Sequence, residues 1–124
     1  MKPEELRIGN WYESVKFGLP VKCEASDFME LECRADGAKV DEDHVDAYFK
    51  GIPLTEEWII KVGFKYDEEY GEYHKQVGRG RMYWNKGVVL MEYGANTEGG
   101  SIIDHVTCIH QLQNIYHSLT GKEL

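Results

Sequence analysis

What most constrains this chain is how turn residues punctuate its second half. Between Phe64 and Val106, turn-forming clusters recur at Asp67 to Gly71, Gly78-Arg79-Gly80, Asn85-Lys86-Gly87 and Gly94 to Gly100. They leave short runs of aromatic and aliphatic residues. Runs that short, joined by so few residues, suit β-strands in successive hairpins, since parallel pairing needs crossovers of a dozen residues or more. The expectation is an antiparallel meander of about five strands, the last from Ser101 to Val106.

Two helices flank the meander. Thr55 is a good N-cap, Glu56 and Glu57 suit the positive end of a helix dipole, and Gly63 tolerates the left-handed backbone of a helix end. A short middle helix over Glu56 to Val62 follows. At 100° per residue, Cys108, Ile109, Leu112, Ile115, Tyr116 and Leu119 share one arc of the C-terminal segment, so an amphipathic helix capped by Thr107 and ended by Gly121 is expected on the sheet. Ahead of the middle helix, Val21, Cys23 and Ala25 alternate with polar residues, as do Met29, Leu31 and Cys33. That alternation predicts two strands joined by a Ser26-Asp27-Phe28 hairpin loop. An acidic loop from Asp36 then leads to a short strand over Val45 to Phe49. The fold class expected is α+β in a single domain, 1–124. It comprises a short-strand part, 1–50, that could close as a small SH3-like barrel, and a helix, meander and helix over 51–124.

Charge and cysteines narrow the function. Acidic residues outnumber basic ones by 22 to 14, a net charge of −8, which repels nucleic acid over the surface as a whole and suits a basic partner. No apolar run is long enough to span a membrane, and Met1 to Glu5 has no apolar leader, so a cytoplasmic protein is expected. Cys23, Cys33 and Cys108 are odd in number and lack a C-x-x-C pair, which reads as free thiols. No dinucleotide, phosphate-loop or nucleophile-elbow string occurs, and no cofactor is expected.

Three groups of side chains invite a functional reading. Cys108 with His105 and His110 has the residue types of a nucleophile and base, or of a metal site. The thiol lies in the apolar arc and no fourth ligand is evident, so neither catalysis nor a metal is assigned. The stripe His110, Gln113, Asn114 and His117, opposite that arc, is either solvated surface or a partner-binding face. From Tyr73 to Met91 the acidic chain has no Asp or Glu. This window holds Lys75, Arg79, Arg81 and Lys86 with Tyr73, Tyr83 and Trp84, a pattern suited to stacking on bases or anchoring in a protein pocket, or else to a hairpin that fills its own core.

Leu6-Arg7-Ile8-Gly9-Asn10-Trp11, the string Ile52-Pro53-Leu54-Thr55-Glu56-Glu57-Trp58, and Ile109-His110-Gln111-Leu112-Gln113-Asn114-Ile115-Tyr116 resemble small uncharacterised proteins of prophages and mobile elements of Bacteroidota. That resemblance carries no activity. It implies an accessory protein of a mobile element, a setting in which anti-CRISPR-like inhibitors recur. The function expected is non-enzymatic binding of a host protein with a basic surface. The alternatives are an RNA- or DNA-binding module using 73–91 and an enzyme using Cys108 with His105 or His110.

Overall fold

The computed structural model describes residues 1–78, 80–85, 87–93, 101–103 and 106–124. The fold is α+β, mostly antiparallel sheet, gathered into two compact units. The first comprises Met1–Ile52 with Cys108–Asn114, the second Pro53–Thr107 with Ile115–Leu124. The C-terminal helix, expected wholly in the second part, contributes its opening turns to the first.

In the first unit, strands β1 (Trp11–Ser14), β2 (Pro20–Lys22) and β3 (Phe49–Lys50) form an antiparallel sheet in the order β2-β1-β3. This is an open three-stranded sheet; no barrel closes among the described residues. The hairpin expected over Val21 to Cys33 is not formed. Ala25–Ala35 is instead helix α1. Phe28, Leu31 and Ala35, spaced by three and four, are the residues that turn inward, whereas Met29 and Cys33 stay exposed. The alternation at Met29, Leu31 and Cys33 was incidental, because a helix places only one of the three against the core. The Asp27 carboxylate accepts the Glu24 N–H at 2.7 Å, half of a capping box.

The acidic loop expected after Asp36 contains a second helix, α2 (Glu42–Asp46). Asp41 caps it by accepting the His44 N–H at 3.0 Å, while the Asp41 N–H donates to His44 Nδ1 at 3.0 Å. Val45, expected in a strand, is therefore helical, and only Phe49–Lys50 is extended. Leu6, Tyr12, Cys23, Leu31, Val45 and Phe49 form the core of this unit.

In the second unit, α3 (Glu56–Lys61) follows the expected chemistry. Thr55 Oγ1 accepts the Trp58 N–H at 3.3 Å, and Gly63 takes φ +98° just beyond the helix end. Strands β4 (Lys65–Asp67), β5 (Glu72–Val77), β6 (Gly80–Asn85), β7 (Val88–Tyr93) and β8 (Ser101–Ile103) form the five-stranded meander in sequence order. Tyr73, Val77, Met82, Val89 and Met91 turn to its buried face. Lys65, His74 and Tyr83, register partners across β4, β5 and β6, share the other face with Gln76 and Arg81. Helix α4 (Ile109–Thr120) starts at Ile109, so the cap position falls on Cys108 rather than Thr107; the Cys108 N–H donates to Gln111 Oε1 at 3.1 Å. Among the described residues no helix is long and apolar enough to cross a membrane.

Candidate functional site

The polar stripe of α4 is not a surface. His110 is 2% exposed and Gln113 1%, as deeply buried as the apolar Ile109 and Leu112 beside them. Their partners lie in the first dozen residues of the chain. Gln113 Oε1 accepts the Trp11 N–H at 2.9 Å. Asn114 Oδ1 accepts from Asn10 Nδ2 at 2.6 Å and from Arg7 Nε at 3.2 Å, and its Nδ2 donates to the Glu5 carbonyl at 3.0 Å. Arg7 Nη2 also reaches Asn10 Oδ1 at 2.7 Å. Residues 5–11 and 110–114 thus meet as one polar lock inside the first unit. His110 and Gln113 are interior and Asn114 is half-buried in the same network, so for the first two neither alternative, solvated surface or partner-binding face, describes their place. His117, in the second unit, is half-buried.

His110 Nε2 lies 3.0 Å from Glu5 Oε1. Burial pulls the imidazole below the usual histidine range, and the attraction of Glu5 does not reverse that. Burial pushes the Glu5 carboxyl up, yet hydrogen bonds from His110, the Lys2 N–H and Gln111 outweigh it and leave the carboxyl below its ordinary value. At neutral pH this is a neutral imidazole donating to a carboxylate. Cys108 is close: a Cβ built on Gly51 would stand 2.6 Å from Cys108 Sγ and 3.1 Å from His110 Cε1. The imidazole is sealed from solvent, which suits a structural pair better than a base that must meet substrate. His105 lies outside the described residues. Among those described, no group of three His, Cys, Asp or Glu is placed to hold a metal ion.

The basic window is divided by the sheet. Tyr73 is buried and Trp84 shares its face as a register partner, so these aromatics serve the core. Arg81 and Tyr83 stand on the other face, with Arg81 exposed. Lys75 is half-buried, its Nζ 5.7 Å from the centre of the Tyr116 ring. Arg79 and Lys86 lie outside the described residues.

A larger recess, which the motifs did not indicate, lies in the first unit. It has a volume of about 630 Å³ between the β1–β2 hairpin and α1. Trp11, Phe17 and Tyr48 supply aromatic surface, and Glu24, Asp27 and Glu30 supply carboxylates. At its rim, Lys22 Nζ sits 5.2 Å from the Trp11 ring centre and Lys16 Nζ 5.3 Å from that of Phe17. The hairpin tip adds three large apolar side chains in solvent: Val15, Phe17 at 64% exposure, and Leu19. The signal that could have located it is the run Val15 to Leu19, apolar at alternate positions through a turn centred on Phe17-Gly18, where polar residues are the norm. No family model, curated protein or solved structure matches this chain.

Proposed function

We propose that the protein is a non-enzymatic accessory factor of a mobile element, acting in the cytoplasm, that binds a host protein through the first unit. The reading includes inhibition of the anti-CRISPR kind, in which a basic, nucleic-acid-handling defence protein is the target. The observation that carries it is the recess beside α1, where carboxylates face aromatic rings next to an exposed apolar hairpin tip.

Charge supports the same surface. The segment from Glu24 to Asp46 carries nine acidic residues against Arg34 and Lys39, close to the whole net charge of −8. Where cations do approach, they lie over the rings of Trp11 and Phe17. An arginine from a basic partner would find the same two attractions, an aromatic face and a carboxylate, and the apolar tip would exclude water around it. The pair Arg34–Glu30, at 4.0 Å with both side chains largely exposed, is too weak to compete.

The test is affinity capture from host lysate with the wild-type chain and with Glu24→Lys/Glu30→Lys. Capture of a basic protein that the double variant loses, with an unchanged circular dichroism spectrum, supports the reading. An identical captured set from both chains contradicts it.

A further inference from the structure

The open face of the sheet in the second unit holds two recesses that meet at Arg81, and protein binding by the first unit uses neither. The first, about 300 Å³, is bordered by Lys65, His74, Lys75, Gln76 and Arg81, with Gly63. No carboxylate borders it, in a chain where acids exceed bases by eight. The register explains the convergence. Lys65 pairs with His74 and Gln76 with Arg81, so four of these groups stand on one pleat face. Lys75 points the other way from its strand and approaches past Gly63, where a Cβ would stand 2.8 Å from its Nζ. Among the described residues Lys65, Lys75 and Arg81 form no ion pair. These like charges repel one another across a recess that no carboxylate borders, Glu92 opposite Arg81 on β7 offsets only part of that, and a bound anion relieves the rest.

The second recess, about 470 Å³, has a different character. Tyr70, Tyr83 and Leu90 give it flat apolar surface, and Glu72 and Glu92 give it acceptors. Tyr83 donates its hydroxyl to Glu92 Oε2 at 3.0 Å, which fixes the ring and leaves the other carboxylate oxygen available. Arg81 borders both recesses.

We propose that the two recesses form one binding site for a nucleoside monophosphate unit. The phosphate lies among Arg81, Lys65 and Lys75, where the guanidinium grips two of its oxygens. The base lies against Tyr83, with its N–H groups donating to Glu72 and Glu92. Guanine presents two adjacent donors and suits a carboxylate best; uracil presents one. The ligand is either a free nucleotide or the 5′-phosphorylated end of an RNA strand, which share this chemistry.

The experiment titrates the full chain with GMP, UMP, guanosine and inorganic phosphate, following backbone amide shifts and heats of binding. GMP is expected to bind saturably, more tightly than UMP, guanosine or phosphate, with shifts centred on Lys65, His74 to Gln76 and Arg81 to Tyr83. Lys65→Glu with Arg81→Glu should weaken GMP by about tenfold or more, because the sign of charge reverses. Arg81→Gln, at an exposed position and with its circular dichroism spectrum checked, gives a milder variant that should weaken GMP in the same direction. Tyr83→Leu should weaken GMP and leave phosphate unchanged. A 5′-phosphorylated RNA trimer beginning with G, run beside GMP, distinguishes the two sources by which binds more tightly. Absence of saturable GMP binding up to about 5 mM overturns the proposal. So does phosphate binding as tightly as GMP, or GMP binding untouched by Arg81→Gln.

Discussion

Replacing Gln113 separates a structural polar stripe from a surface one. Gln113→Met keeps the side-chain length and volume but removes the oxygen that accepts the Trp11 N–H at 2.9 Å. At 1% exposure, water cannot take over that role. The loss of a buried hydrogen bond with its donor left inside costs about 1–3 kcal/mol. Gln113→Ala adds a void where the side chain packed, for a total of about 2–4 kcal/mol. For a domain of this size each kcal/mol moves the melting temperature by about 4 °C. Urea unfolding followed by tryptophan fluorescence measures both, with Trp11 itself at the lesion. If both variants unfold within about 0.5 kcal/mol of wild type, the range of ordinary surface substitutions, the lock between the N-terminal segment and α4 does not exist as described.

Acidification should destabilise the chain, because His110 and Glu5 both have folded-state pKa values below their ordinary ones. The unfolded chain then binds more protons, so the stability these groups contribute is complete above about pH 6.5, first falls as His110 takes a proton and falls further as Glu5 does. Urea midpoints across pH check this, and His110→Gln should remove the upper part of the decline; a flat profile would refute it. Cys33, exposed, should alkylate quickly in the native protein. Cys23, 1% exposed and with its thiol pushed up to about 12 by burial and by Asp27 and Glu24, should react only after denaturation, as peptide mass spectrometry would show. Gly80→Ala places a Cβ against the carbonyl of Glu92 and 3.0 Å from Met91 Cε, and should cost about 1–3 kcal/mol in urea unfolding; a neutral effect would mean that β6 and β7 pack less closely there.

What could be read from the residues was what depends on near neighbours. The meander follows from turn clusters a few residues long, and α3 from Thr55, its glutamates and Gly63. Helix α1 was misread because Met29, Leu31 and Cys33 alternate over a window too short to distinguish period two from the helical spacing of Phe28, Leu31 and Ala35. The better guide was the cap pair Glu24 and Asp27. The stripe on α4 was misread for another reason. A polar residue on a helix is ordinarily wet, and only the arrival of Arg7, Asn10 and Trp11 from about a hundred residues away makes Gln113 an interior group and half-buries Asn114. The recesses depend on tertiary geometry in the same way. Lys65, His74 and Arg81 converge through strand register, and Trp11 and Tyr48 meet Glu30 only once α1 is known to be a helix.

The most direct measurement is hydrogen exchange of the chain alone and bound to the basic protein captured from lysate. Binding through the recess of the first unit predicts new protection in the β1–β2 hairpin and along α1, between about residues 13 and 34, with β5 and β6 unchanged. Protection confined to β5 and β6, with the hairpin and α1 exchanging as in the free chain, would contradict it.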